Sequence, residues 1–225
     1  RQRMSTAVVF AFAIADGLTP VVGAAPFDVL SRQIPRALVS NLNGEADRGL
    51  RFFPFLGPVD GQRDFLRVRE LLEPKSLVAL HKQGAVDLLV DGLIHQDRLV
   101  WRVVDGCTGE LRLSLELPLD PLDPFAVLPR LAFELVGLLG WSGTATSDLK
   151  LEGAALGWFI VLKDEMLRRE ANLPDATDDP LRAARQCVQF GGADEDLQQL
   201  VLDYLALLLR RGQLRELSRQ HPGLL

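Results

Sequence analysis

The residues able to do chemistry are few and scattered. His81, His95 and His221 stand far apart. No two have the four-residue spacing of helical metal ligands, and none adjoins a serine or cysteine in a nucleophile pattern. Cys107 and Cys187 each lack a CxxC partner, so the chain offers neither a zinc set nor a disulfide framework. GxSxG, GxxxxGK and GxGxxG are all missing. Asp87 and Asp91 lie four apart on an expected strand and therefore on one face. That spacing suits a carboxylate pair for hydrolysis, and equally the solvated rim of a strand. Asp16-Gly17-Leu18-Thr19-Pro20 follows the expected first strand, where α/β sheets bind ligands. Residues 16–23 are thus the candidate crevice for a small ligand or nucleotide, although no glycine pattern there would cradle a phosphate. Asp175, Asp178 and Asp179 lack the glycine and closing glutamate of a calcium loop and suit helix capping. No catalytic, cofactor-binding or metal-binding residue is assigned.

What remains is binding by shape. Trp158, Phe159 and Tyr204 are large aromatics on expected helices, and Phe53 and Phe55 flank Pro54 in an expected edge strand over 51–56. Such residues fill cores or anchor partners, and the last helices of an array keep one face without a neighbour. These five are the candidate partner contacts.

The elements that must position them follow two grammars. Up to about residue 117, strand-like and helix-like stretches alternate; beyond it the pattern is almost wholly helical. Residues 7–15 form an apolar first strand closed by Asp16-Gly17. Residues 28–42 carry helical spacing, with Pro35 expected to divide a short turn from the helix proper. A loop over 41–49 leads to the strand 51–56, which Pro54 assigns to an edge. A loop over 57–61, a short helix over 64–72, and a helix over 75–83 opened by Pro74 and closed by Gly84 come next. Residues 87–94 form the third strand, and His95-Gln96-Asp97 turns it into the fourth.

The strongest local pattern is a hairpin. Leu99, Trp101 and Val103 alternate with Arg98, Val100, Arg102 and Val104; Leu111, Leu113, Leu115 and Leu117 alternate with Arg112, Ser114 and Glu116. Pairing Val104 with Glu110 sets Trp101 opposite Leu113 and Arg98 opposite Glu116, with the leucines inward. Asp123 then caps a helix running from Pro124 through Leu139. The small-residue connector 140–147 divides a domain over 1–140 from a helical region over 148–225. Within that region helices are expected over 148–169, 180–190, 194–211 and 213–220, and the middle of the first, residues 158–162, is apolar all round.

Gly84-Ala85-Val86-Asp87-Leu88-Leu89-Val90-Asp91-Gly92, Asp97-Arg98-Leu99, Val103-Val104-Asp105, Thr108-Gly109-Glu110 and Asp123-Pro124-Phe125 together resemble the amino-terminal domain of TolB and its FlgO-type relatives. The resemblance spans roughly residues 7–139 and is strongest over 84–125. It implies an α/β (α+β) fold of mixed sheet and flanking helices. Such domains are often followed by tetratricopeptide-like helices, and Leu181-Arg182-Ala183-Ala184, Asp203-Tyr204-Leu205 and Arg211-Gly212-Gln213 are similar to these.

The chain has 225 residues, 48% apolar and 24% charged, with a formal net charge of -5. That is enough apolar material for a packed protein and the wrong sign for a binder of phosphate backbones. The expected function is a non-enzymatic interaction or scaffold module, without cofactor, docking protein partners or a second copy, and with no nucleic acid and no membrane insertion. The alternative is a small-ligand or nucleotide sensor using residues 16–23. Two isolated cysteines suit the cytoplasm; the basic and then apolar amino terminus would suit the periplasm if it is the remnant of an export signal. The Arg1 start and the incomplete repeat at Leu225 allow a longer parent protein.

Overall fold

The computed structural model describes residues 6–43, 49–81, 86–141 and 150–210. The chain divides into two units, Arg1–Asp148 and Leu149–Leu225. The first is a mixed α/β unit and the second is helical.

In the first unit the elements are β1 (Ala7–Phe10), β2 (Ala13–Ile14), α1 (Phe27–Asn43), β3 (Leu50–Phe53), β4 (Leu56–Val59), β5 (Gln62–Phe65), α2 (Pro74–Leu80), β6 (Leu88–Ile94), β7 (Arg98–Asp105), β8 (Leu111–Pro118), a 3-10 turn (Pro124–Val127) and α3 (Leu128–Leu139). The main sheet runs β3-β1-β6-β7-β8, with β2 also beside β6; β4 and β5 form a separate hairpin. The β3, β1 and β6 strands are parallel, and β7 and β8 continue antiparallel. From β1 the chain crosses through α1 to β3, then returns past β1 through α2 to β6. Right-handed crossovers in opposite directions put α1 and α2 on opposite faces of the sheet. Leu77 of α2 accordingly joins Val8, Phe10, Leu89 and Val104 in a buried cluster with Phe55 and Leu72 at its margin.

The expected first strand is broken. Residues 7–14 are all buried, yet β1 ends at Phe10 and β2 starts at Ala13. The cause lies in α1. Pro35 has no N–H, so the Ser31 carbonyl four residues earlier has no helical donor. The Phe12 N–H leaves the sheet to supply it, at 2.8 Å. Hence Pro35 does not divide the helix as expected: α1 is continuous and reaches Asn43, into the expected loop.

Between β3 and α2 the chain departs further from its local sequence pattern. β3 does occupy a sheet edge, but it stops at Phe53, and Pro54 lies beyond it. The expected loop 57–61 and helix 64–72 are instead the β4–β5 hairpin, turned at Asp60-Gly61, followed by irregular chain. Within that chain Val68 takes the position beside β2 that β3 has vacated, accepting a bond from the Ile14 N–H at 2.8 Å.

A buried ion pair orders the rest of this stretch. Arg102 on β7 donates to both carboxylate oxygens of Asp91 on β6, Nε to Oδ1 at 2.9 Å and Nη2 to Oδ2 at 2.5 Å, and Nη2 also donates to the Leu72 carbonyl at 2.7 Å. Asp91 is 5% exposed.

The β7–β8 hairpin forms, but two residues out of the expected register. Trp101 faces Leu115 and Arg98 faces Pro118, and a bulge between Val103 and Val104 takes back one residue of the difference, leaving Val104 opposite Leu111. A shift of two keeps Leu113, Leu115 and Leu117 on their expected face, and the bulge turns Leu111 to the face of Val104. The leucines of β8 are less buried than expected: Leu111 is exposed, and Leu113, Leu115 and Leu117 are half-buried. β7 is the reverse, with Val104 buried as completely as Trp101. Asp123 makes no side-chain cap, and the chain enters α3 through the 3-10 turn. Gly140, at φ +65°, closes α3 where expected, with bonds back to Gly137 and Val136.

The second unit holds α4 (Gly153–Glu170), α5 (Arg182–Gly191) and α6 (Glu195–Arg210). α4 starts five residues later than expected. It packs against both other helices, which is what its apolar middle requires. Asp194 caps α6 through the Leu197 N–H at 2.9 Å. Leu197 Cδ2 fills the space beside Gly191, so a Cβ there, 1.7 Å from it, would require the Leu197 side chain to move. Gly84, His221 and the expected helix 213–220 lie outside the described residues.

Breaking the buried pair should be costly. Asp91→Ala leaves Arg102 uncompensated and should lower stability by about 3 kcal/mol, whereas the double variant Asp91→Leu/Arg102→Met should recover most of that loss. Urea unfolding measures both, and equal losses in the two variants would contradict the assignment.

Candidate functional site

The polar groups singled out by type end up committed to one another. At the carboxyl ends of β2 and β6, the strand ends that border the sequence-expected crevice, Asp16 pairs with Arg69 at 2.5 Å. Gln96 clasps the Thr19 backbone twice, accepting from its N–H at 2.7 Å and donating to its carbonyl at 3.0 Å. Asp16, Thr19 and Gln96 are therefore brought together, with Arg69 arriving from the irregular stretch after β5. The Asp16–Arg69 pair is two-thirds exposed, and the Gln96–Thr19 bonds are also at the surface.

Asp87 and Asp91 have separate duties. Asp87 Oδ2 accepts from the Thr6 N–H at 2.7 Å and its hydroxyl at 3.2 Å, which tethers the start of β1. Burial pushes the Asp91 carboxyl above its ordinary range, and the Arg102 ion pair partly opposes that shift. Neither is arranged as half of a hydrolytic pair. Asp105, held by the Thr108 and Cys107 N–H groups, is pulled below the usual carboxylate range and organises the hairpin turn. His95 sits in the β6–β7 turn and His81 follows α2. Among the described residues no three His, Cys, Asp or Glu side chains converge as metal ligands would.

The acidic loop serves the helices around it. Asp175 pairs with Arg169 at 2.6 Å. Asp179 pairs with Arg185 and accepts from the Leu181 N–H at 3.2 Å. Arg169 is almost completely buried and lies 5.5 Å from the centre of the Tyr204 ring, whose hydroxyl donates to the Pro180 carbonyl at 2.6 Å. Tyr204 is therefore a fastening for the loop, fully buried, and presents no surface to a partner. Phe159 is nearly buried, with the Lys163 ammonium 5.7 Å from its ring. Trp158 is half-buried under the Arg182 guanidinium, also at 5.7 Å. Of the five aromatics, Phe53 is the most accessible, and it packs with Phe10 and Phe55 at ring distances of 5.4 and 6.2 Å.

The open apolar surface lies elsewhere in the second unit. Between α5 and α6 a groove of about 310 Å³ is lined by Cys187, Val188, Gly192, Leu197, Gln198, Val201 and Leu202. Val188 and Leu202 are each 59% exposed on its rim. The sequence holds a readable trace of this groove. The buried stripe of α6 runs 197-200-201-204-208, and Leu202 and Leu209 are apolar but fall outside its phase. Cys187 is fully buried, and burial pushes its thiol up to about 12. It is an apolar wall rather than a nucleophile.

α4 carries a dense buried set of charges, Asp164, Glu165, Arg168 and Arg169, which half-buried Asp175 of the acidic loop joins through Arg169. Glu165 Oε2 has no hydrogen-bond partner, and burial raises the Glu165 carboxyl against the pull of Arg168.

Two outcomes follow. A raised carboxylate favours the folded state while protonated, so the stability that Glu165 allows falls as pH rises from the ordinary carboxylate range through its folded value. Glu165→Gln should therefore melt higher than the parent at neutral pH and match it in acid; thermal unfolding followed by circular dichroism from about pH 4 to about pH 8 reads this. A parent and variant that differ equally at every pH would contradict it. In the native protein a thiol reagent should modify exposed Cys107, and Cys187 only after denaturation.

No protein-family model matches the chain, and no curated protein matches it in sequence.

Proposed function

We propose that the protein is a non-enzymatic interaction module, a subunit or adaptor of a larger assembly. In this reading a TolB-amino-terminal-like α/β unit carries tetratricopeptide-like helices, and the helical unit seats an amphipathic helix of a partner protein in the α5–α6 groove. The observation that carries the reading is the groove itself, with Val188 and Leu202 held open to solvent above an apolar floor. Helix-in-groove recognition needs this combination of a concave apolar channel and rim side chains that a partner's apolar stripe can bury. The groove is lined by apolar side chains, one cysteine, one glycine and Gln198, so it acts by shape. The two unpaired cysteines are compatible with a cytoplasmic protein. Among the described residues no helix is long and apolar enough to cross a membrane. The alternative, a small-ligand sensor, would use the strand ends near Asp16. There the polar groups bond to each other, which gives that reading less support.

A photo-crosslinking residue placed at Val188 or Leu202 in the native cell tests the proposal, with exposed Gln199 as the control position. The expected result is one discrete adduct from the two groove positions, missing from Gln199 and abolished when Leu202→Glu is combined with the probe at Val188. Equal labelling at all three positions, or no adduct at all, would overturn it.

A further inference from the structure

The groove on the helical unit has an acidic end. It opens beside the first turn of α6, where Glu195 and Asp196 are exposed, and Leu197, Gln198 and Leu202 carry its wall along the helix. The apolar stripe of α6 continues where the groove stops. Leu209, seven residues or about 10 Å further along, is 58% exposed on the same side of the helix as Leu202, with half-buried Leu205 between them. The last turn then ends on exposed Arg210. Asp203 lies off this stripe, about 100° around the helix from Leu202, and takes a bond at 2.8 Å from Gln199 of α6 itself.

α6 therefore has what the groove asks of an occupant: an uncovered apolar stripe with a cation at one end to meet the acidic mouth. Two α6 helices approaching in parallel would set Glu195 and Asp196 against their own copies. The antiparallel approach does the opposite. Centred near Leu202, it brings Leu209 of each copy level with Asp196 and Leu197 of the other, over the groove. The same register brings Arg210 level with Glu195 and Asp196, and Leu202 lies across from its own copy at the centre. A helix from an unrelated protein would fill the groove and leave Leu209 bare, whereas a second copy covers stripe and groove together.

We propose that two copies of this chain dimerise through antiparallel α6 helices, each laying its Leu202–Leu209 stripe into the other's α5–α6 groove. The proposal rests on the reading of that groove as a helix seat, and it names the helix that is seated. The contact is isologous, so the pairing of Arg210 with Glu195 and Asp196, and the burial of Leu209 against Val188 and Leu197, each occur twice.

Sedimentation equilibrium on the full chain, with photo-crosslinking from position 209, tests this. The parent should dimerise. A crosslinking residue in place of Leu209, in a mixture of isotopically labelled and unlabelled chains, should join labelled to unlabelled peptides within the segment from Val188 to Leu202. Leu209→Glu and Arg210→Glu should each weaken the dimer by roughly tenfold or more. The double variant Glu195→Lys/Asp196→Lys should do the same. An equimolar mixture of that double variant with Arg210→Glu should form a mixed dimer of near-parent affinity, since every cation then faces an acid. Circular dichroism of these exposed-site variants should match the parent. A parent that stays monomeric at about 1 mM, well above the range of specific association, overturns the proposal. So does a dimer that ignores Arg210→Glu, or a crosslink from position 209 that maps outside α5 and α6. A monomeric chain whose Val188 position captures a different protein in the cell overturns it too, while leaving the groove a helix seat; a monomer that yields no adduct in the cell overturns both readings.

Discussion

The pairing of Arg102 with Asp91 constrains what the α/β unit can be. Two charges in the middle of a sheet face are tolerable only if water is replaced by matched hydrogen bonds. The carboxylate takes two of the guanidinium's donations, and Leu72 supplies a carbonyl for another. That carbonyl belongs to chain with no regular structure, so a polar contact does there what a strand or helix would do elsewhere. It draws the return crossover onto the sheet, after which α2 can set Leu77 against Val8, Phe10, Leu89 and Val104. Apolar packing then excludes the water that would compete for the pair. Each half of the arrangement depends on the other.

Much of this architecture is written in short-range patterns. Alternation finds β6, β7 and β8 and assigns their side chains to faces up to the bulge that turns Leu111 over, and Gly140 marks the end of α3 to the residue. The errors share a cause: a distant group overrides a local preference. Pro35 reads as a break, yet the helix continues because a strand amide twenty-three positions upstream takes its orphan carbonyl. Residues 64–72 have helix-like spacing but are drawn into a hairpin and a segment alongside β2. The hairpin register slips by two because face alternation is blind to even shifts, and a bulge beside the turn decides among them.

The candidate contact residues show the same limit. Aromatic size drew attention to Tyr204, but a large ring with a hydroxyl is just what a buried loop fastening needs, and there it stands. Val188 and Leu202 are ordinary aliphatic residues. Only their position off the buried stripe separates them from the core, and that phase becomes meaningful once the stripe itself is known. The polar residues divide similarly: their identities are plain in the chain, but their mutual satisfaction at Asp16, Gln96, Asp87 and Asp179 emerges only in three dimensions.

The bond from the Phe12 amide to Ser31 has a kinetic meaning as well. A helix bearing an internal proline lacks one rung of its own ladder, so in isolation α1 is a poorer helix than its length suggests. Its missing donor sits on the strand it must pack against, and becomes available only where β1 gives way to β2. Growth of the helix and alignment of the central strand are thereby coupled into one cooperative step. A misaligned strand would present its amide at the wrong height and leave the helix incomplete, so the proline acts as a proofreading device for the register of the fold.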